Sequence, residues 1–144
     1  MLCSEIMKRH VFSGTPETSA ADAARLMREH GIGFLPVCDS AGNPLGVVTD
    51  RDLALRVCAE DLPAQSTLLK QIMTKGPITC AAKTSLEHAE ATMLKRKTRR
   101  ILLVDDHGKL VGLITLADVI HHQDPFKLAH FVRELTEVRL RHER

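Results

Sequence analysis

The chain repeats itself once, and the two copies stay in register at a fixed spacing of 66 residues. The stretch Gly46–Asp52 reads GVVTDRD and Gly112–Asp118 reads GLITLAD, so both carry the pattern G-x-x-T-x-x-D. This spacing indicates an internal duplication of two copies rather than a longer solenoid array. Further identities follow the same spacing of 66 residues without a gap: Ile6-Met7 with Ile72-Met73, Ala23 with Ala89, Met27 with Met93, Asp39 with Asp105 and Gly42 with Gly108.

Both copies predict the same order of elements, β-α-β-β-α. A short extended stretch (VFSG, then PITC) precedes a helix whose start is marked by polar residues three apart, Ser19 with Asp22 and Thr84 with Glu87. Two apolar runs of strand length follow, FLPVC and LGVVT in copy one, ILLV and LVGLIT in copy two. Turn-forming residues separate these runs, and a second helix follows each motif.

One copy of this size is too small to bury its sheet alone. The fold class expected is therefore α+β, with two repeats related by a pseudo-twofold axis, packed through their sheets, plus a C-terminal helix. The predicted boundaries are 1–65 for repeat 1 with its lead-in, 66–123 for repeat 2, and 124–144 for the extension. That extension carries an apolar stripe expected to pack on the module or on a second subunit: Leu128, Phe131, Val132, Leu135 and Val138.

Composition narrows the function classes. The 144 residues include no Trp or Tyr, so the core must be aliphatic and base-stacking platforms for single-stranded nucleic acid are lacking. A net charge of +2 disfavours a dedicated DNA-binding domain. No apolar run approaches the roughly 18 residues of a membrane span, and no signal-peptide pattern begins the chain. Cys38 and Cys58 lie in apolar sequence and are expected to be reduced core residues of a cytoplasmic protein.

The repeated motif by itself allows two interpretations. Threonine followed three residues later by aspartate is typical of a helix cap, and a strand glycine is typical of a bulge. The same residues could also form a nucleotide-binding edge. Thr49 and Thr115 would meet phosphate near a helix N-terminus, and Asp52 and Asp118 would accept hydrogen bonds from ribose. In either case the glycine removes a side chain where something must come close.

With its surroundings, the motif resembles a tandem pair of CBS domains, the Bateman module. The resemblance runs from about Ser4 to Gln123 and rests on GVVTDRD, GLITLAD, IMTKGPITC and GIGFLPVCDSAGNPLG. It implies a ligand-sensing module without catalysis or a required cofactor, which binds an adenine nucleotide such as AMP, ADP or ATP. It also implies a homodimer whose shape is read by another protein.

The resemblance implies two mixed sites, in which the motif of one copy faces the lead-in and middle strand of the other. One would join Thr49 and Asp52 to Gly76, Pro77, Ile78, Arg99 and Arg100. The other would join Thr115 and Asp118 to Val11, Phe12, Gly33 and Phe34.

The two implied sites differ in charge. Arg99 and Arg100 directly precede the strand ILLV, where the family often places a phosphate-contacting cation, whereas copy one has Gly33-Phe34 there. The Asp52 site is therefore expected to suit a polyanionic nucleotide better. The Asp118 site is expected to bind more weakly, to take a less charged ligand, or to stay empty. Asp50 and Arg51 are expected to face solvent or a partner subunit.

Other classes find less support in the residues. No P-loop, H-E-x-x-H or catalytic triad order occurs, and the adjacent His121 and His122 point to different faces of a helix, so neither an enzyme nor a metal site is expected. Two alternatives remain open. One is a structural interaction module with empty clefts. The other is a nucleic-acid-associated module that uses the run KRKTRR and the Arg-rich tail.

Overall fold

The computed structural model describes the backbone of residues 1–143 and the side chains of residues 1–137. The chain divides into two compact units. The first unit comprises Val11–Pro77 and His107–Leu110, and the second comprises Met1–His10, Ile78–Asp106 and the chain from Val111 onward. Each unit therefore holds one motif together with a lead-in segment that the chain order assigns to the other repeat.

The first unit is built on a three-stranded sheet of order β1-β2-β3. Strands β1 (Phe34–Cys38) and β2 (Pro44–Thr49) pair antiparallel, and β3 (Thr74–Lys75) pairs with β2 at Gly46 and Val47. Its helices are α2 (Ala20–His30), α3 (Asp50–Leu53), continued by a π-helical turn Ala54–Cys58, and α4 (Leu69–Ile72). Their buried side chains form an aliphatic core with the sheet: Ala20, Ala23, Met27, Leu35, Val37, Val48, Val57, Leu69 and Ile72.

The second unit has a sheet of order β4-β5-β6. Strand β4 (Thr79–Ala81) runs parallel to β5 (Arg100–Val104), and β6 (Leu110–Thr115) completes the sheet. Its helices are α1 (Cys3–Ile6), α5 (Leu86–Arg96), α6 (Leu116–His122) and α7 (Pro125–Glu143). The core contains Cys3, Cys80, Leu86, Ala89, Met93, Ile101, Leu103, Ile114, Val119 and Phe131.

The predicted α+β class with a C-terminal helix is confirmed, with local differences. VFSG forms no strand, and only Gly14 makes a single bridge, to Val37. Ser19 caps α2 by accepting a hydrogen bond from the Asp22 N–H at 3.0 Å. In copy two, however, the N-cap is Ser85, the residue in register with Ser19, rather than Thr84. Helix α4 lies within the predicted repeat 2 but packs in the first unit.

Helix α7 packs on the second unit through part of its predicted stripe. Phe131 is buried, and Leu128 and Leu135 are half-buried against the same core, while Val132 is exposed. The Val138 side chain lies outside the described residues. Next to this contact, the Gln123 side-chain amide donates to Glu90 Oε2 on α5 at 2.6 Å. Within residues 1–143, no helix is long and apolar enough to cross a membrane.

Candidate functional site

Both motifs form reciprocal caps at the start of a helix. In the first unit the Asp52 N–H donates to Thr49 Oγ1 at 3.1 Å, and the Thr49 N–H donates to Asp52 Oδ2 at 2.9 Å. In the second unit the Asp118 N–H donates to Thr115 Oγ1 at 3.4 Å, and the Thr115 N–H donates to Asp118 Oδ2 at 2.8 Å. The capping interpretation of the motif is therefore confirmed in both copies.

The cap uses only part of each motif side chain. Asp52 and Asp118 are both half-buried, and in each the oxygen Oδ2 accepts the capping bonds. The other oxygen of Asp52, Oδ1, lies 3.7 Å from the Arg56 guanidinium. Because a carboxylate has about four acceptor positions, Oδ1 keeps the capacity to accept from a ligand while Oδ2 holds its orientation. Capping and binding are thus compatible in this geometry.

The motif glycines make room for the lead-in segments. A Cβ on Gly46 would lie 2.7 Å from the Thr74 carbonyl oxygen and 2.9 Å from Met73 Sδ. A Cβ on Gly112 would overlap Met7 Sδ and lie 2.9 Å from Met7 Cγ. Neither glycine has a positive φ, so the requirement is space rather than backbone conformation. The expected close approach is therefore made by one methionine of each lead-in, Met73 at Gly46 and Met7 at Gly112, and at Gly46 also by the Thr74 carbonyl.

The structure distributes the predicted site residues between the two units. Thr49, Asp52, Gly76 and Pro77 belong to the first unit, and Gly76 follows β3, the strand paired with the motif strand β2. Ile78, Arg99 and Arg100 belong to the second unit. For the other predicted site, Thr115 and Asp118 lie in the second unit, whereas Val11, Phe12, Gly33 and Phe34 lie in the first. Each of the two predicted sets therefore names residues of both units.

Two neighbours of the predicted residues were not found by sequence reasoning. The rings of Phe12 and His30 stack with centroids 3.6 Å apart and planes at 14°. The Asp50 N–H donates to the Gly33 carbonyl at 3.0 Å, and the Asp50 carboxylate lies beside Gly33. Asp50 is exposed, as predicted, but it also contacts a predicted site residue. In the sequence, only the glycine at position 33 indicates that another group lies close to the backbone there.

The four cysteines differ in their burial. Cys3, Cys38, Cys58 and Cys80 are free thiols. Burial, together with the neighbouring Cys80, raises the pKa of Cys3 to about 11. Cys58 was predicted as a core residue and is instead exposed; it ends the π-helical turn, in which Val57 is the buried residue. Among the described residues, no group of three or more His, Cys, Asp and Glu side chains is arranged to hold a metal ion.

The fold and the motifs together define a class of tandem-repeat module with one capped T-x-x-D helix start per repeat. A family model for the CBS domain matches the chain twice, over residues 3–58 and 69–124. The chain therefore belongs to the CBS-domain family and carries two such domains in tandem, which confirms the resemblance.

Two relatives in other organisms contain a region similar to this chain. An uncharacterized protein of Methanopyrus kandleri is 31% identical over 131 residues, which are 91% of this chain and 66% of that protein. An inosine-5'-monophosphate dehydrogenase of Korarchaeum cryptofilum is 41% identical over 120 residues, which are 82% of this chain but only 24% of the dehydrogenase. The chain thus spans about two thirds of the first relative and about a quarter of the second.

Solved structures with the same fold include ligand complexes. The CBS domain pair of protein MJ0100, in complex with 5'-methylthioadenosine and S-adenosyl-L-methionine, superposes with a TM-score of 0.73 at 26% identity and covers 84% of this chain and 94% of that one. CBSX2 in complex with AMP superposes with a TM-score of 0.70 at 29% identity, covering 83% and 93%. The CBSX2 protein comes from Arabidopsis thaliana.

Proposed function

We propose that this protein is a non-catalytic regulatory module that senses an adenosine nucleotide of the AMP, ADP or ATP type. Binding shifts the conformation of a homodimer, and another protein reads the change. One site combines Thr49, Asp52, Gly76, Pro77, Ile78, Arg99 and Arg100. The other combines Thr115, Asp118, Val11, Phe12, Gly33 and Phe34.

The half-used motif carboxylate is the observation that carries this proposal. In both copies the capping bonds fix Oδ2, while Oδ1 takes no part in the cap. A carboxylate held in this way can accept hydrogen bonds from vicinal hydroxyls such as those of ribose. A pure helix cap needs no second oxygen, since Ser19 and Ser85 cap α2 and α5 with a single hydroxyl each.

The ligands of related CBS pairs support the same class. AMP, 5'-methylthioadenosine and S-adenosyl-L-methionine differ in charge and in their 5' substituent, and the adenosine moiety is what they share. A motif that recognises ribose through its aspartate would accept all three. The identity of the 5' group is then decided by other residues of each site.

The cations favour the Asp52 site for nucleotides. Arg99 and Arg100 are exposed at the start of β5. At the matching position of copy one, Gly33 and Phe34 bring no positive charge. Arginine binds phosphate oxygens through a planar fork of donors, so the site that contains Arg99 and Arg100 is the tighter one for polyphosphates.

Calorimetric titration with AMP, ADP and ATP tests the proposal on wild type and on matched pairs of variants. Asp52→Asn keeps an oxygen for the cap but removes the carboxylate, and Asp118→Asn does the same in copy two. We expect Asp52→Asn to weaken the tighter site at least tenfold, which corresponds to about 1.4 kcal/mol. Asp118→Asn should leave that site within about twofold of wild type. The reverse pattern would overturn the assignment of the tighter site.

The same titrations separate the alternatives. A structural module with empty clefts would show no heat with any nucleotide and no stabilisation in thermal melts. A nucleotide that binds, at 100 times its Kd, should instead add about 2.7 kcal/mol to the free energy of unfolding. A nucleic-acid-associated module would bind RNA or DNA with steep salt dependence, and Asp52→Asn would not affect it.

A further inference from the structure

The two motif caps differ in one hydrogen bond. In copy two the Thr115 hydroxyl donates to Asp118 Oδ2 at 2.8 Å, in addition to the reciprocal backbone bonds of the cap. In copy one, among the described residues, Thr49 Oγ1 takes part only in the bond that it accepts from the Asp52 N–H. A threonine hydroxyl has one hydrogen to donate, so this hydrogen is used within the motif in copy two but not in copy one.

The residue four positions after the motif aspartate also differs between the copies. In copy one this residue is Arg56, and its Nε lies 3.7 Å from Asp52 Oδ1. In copy two it is His122, whose Nδ1 donates to the backbone carbonyl of Asp118 at 2.8 Å. A cation of the same helical segment therefore stands beside the carboxylate of copy one, whereas His122 contacts the backbone instead.

A second contact holds the Arg56 guanidinium in place. Its Nη1 donates at 2.7 Å to the carbonyl of Ile72, the buried last residue of α4. The N–H donors of a guanidinium form a rigid planar fork, so one anchored N–H fixes the direction of the others. At 3.7 Å the contact with Asp52 is an ion pair rather than a hydrogen bond, and Oδ1 can still accept from ribose. Arg56, Asp52 and Ile72 all belong to the first unit.

We propose that Arg56 is a positioning residue that makes the first motif selective for adenosine compounds with a 5' phosphate. The cation draws the Asp52 carboxylate away from the Thr49 hydroxyl, which then donates to a phosphate oxygen of the ligand. In copy two the Thr115 hydroxyl has to give up its bond to Asp118, and a hydrogen bond to a carboxylate is roughly twice as strong as a neutral one. This inference rests on the proposed function, because it names the 5' group that the motif selects.

Calorimetric titration with AMP and with adenosine tests the selectivity. The whole chain is used, and every variant also carries Asp118→Asn so that the Asp52 site dominates. Arg56→His introduces the residue of copy two, and Arg56→Lys keeps the positive charge. Arg51→Gln removes another exposed cation of α3 and serves as the matched control.

We expect Arg56→His to lower the affinity for AMP by about threefold to tenfold and to change the affinity for adenosine by less than about twofold. Arg56→Lys should have a smaller effect on AMP than Arg56→His. Arg51→Gln should leave both ligands within about twofold, since exposed charges are screened by salt. A contact that only ties the motif helix to α4 would weaken both ligands alike, so the ratio of the two affinities is the specific readout. Circular dichroism melts check that each variant is folded.

A double-mutant cycle tests whether the effect passes through the Thr49 hydroxyl. Thr49→Val removes this hydroxyl, and Thr49→Ser retains one. With Thr49→Val in place, Arg56→His should lower the affinity for AMP by less than about twofold, because the donor is already gone. With Thr49→Ser the effect should match that seen with threonine. A direct attraction between Arg56 and the phosphate would instead persist in both backgrounds.

Three results would overturn the inference. They are an AMP affinity that Arg56→His leaves unchanged, an equal loss for AMP and adenosine, and an AMP loss that persists in full with Thr49→Val. In each case, AMP binding by the Asp118→Asn chain with Arg56 intact leaves the proposed function standing. Absence of binding of AMP and adenosine by the wild-type chain refutes both proposals.

Discussion

Replacing Gly112 with alanine should destabilise the second unit by forcing Met7 out of its place. The new Cβ would overlap Met7 Sδ and lie 2.9 Å from Met7 Cγ and 3.1 Å from Met7 Cβ. Carbon atoms pack best at about 3.5–4.0 Å, so the whole Met7 side chain must shift. Overpacking of this kind costs about 1–3 kcal/mol. The lower entropy of the unfolded alanine chain offsets about 0.4–1 kcal/mol of that cost.

A double-mutant cycle isolates the contact. Met7→Ala removes Sδ and Cγ, the atoms that collide with the new methyl group. The double variant Gly112→Ala/Met7→Ala should therefore be at least about 1 kcal/mol more stable than the sum of the single effects. Urea unfolding followed by circular dichroism measures each free energy, since the chain has no tryptophan or tyrosine for fluorescence. The comparison requires an unchanged m-value.

The first repeat supplies the matched control. A Cβ on Gly46 would lie 2.9 Å from Met73 Sδ, but also 2.7 Å from the carbonyl oxygen of Thr74. That oxygen belongs to β3, which is hydrogen-bonded in the sheet and cannot move as a side chain can. Met73→Ala should therefore rescue Gly46→Ala much less. Additive effects within about 0.5 kcal/mol at the Gly112–Met7 pair would show that the glycine is not there to admit the methionine.

Two further predictions concern titration and thiol chemistry. Burial is the main cause that raises the pKa of Glu90. The folded state therefore binds this proton more tightly than the unfolded chain does. The stability that the bound proton contributes at low pH is lost as the pH rises through the folded pKa. Glu90→Gln should therefore raise the urea midpoint at pH 7, with a gain that vanishes near pH 4; an equal gain at both pH values would contradict this account. In native protein at pH 8, iodoacetamide should label the exposed Cys58 first, while Cys3, with a pKa of about 11, is only about one part in a thousand thiolate and stays unmodified until unfolding. Faster labelling of Cys3 than of Cys58 would contradict the burial of the lead-in helix α1.

Local features of the fold were predictable because they depend on neighbouring residues. The hydrogen bond from Asp22 to Ser19, and the reciprocal bonds of Thr49 with Asp52, each span three residues, so sequence spacing is sufficient to find them. The misplaced cap at Thr84 shows the limit of this reasoning. Ser85 stands 66 positions after Ser19 and accepts from the His88 N–H at 3.2 Å, so the register of the repeat, rather than the spacing of a hydroxyl and an acid, locates this cap.

The predicted site was accessible to sequence reasoning only through the repeat and the family resemblance. Thr49 and Asp52 stand out because Thr115 and Asp118 repeat them in register. Asp50 could not be found in this way, since copy two has Leu116 at that position and the repeat pattern marks it as unconserved between copies. Its contact with Gly33 depends on the direction of a side chain at the start of α3, which periodicity does not specify.

The duplicated α+β organisation with two capped motifs can be read from the residues alone, because periodicity, caps and internal identity are properties of residues close together or in fixed register. The packing of each lead-in in the unit of the opposite repeat, with Met7 against Gly112 and Met73 against Gly46, is visible only in the folded chain. Space for a methionine beside a glycine is a property of two segments folded together. The sequence shows that both residues are repeated, but only the packing shows that the methionine takes the space that a side chain at the glycine would fill.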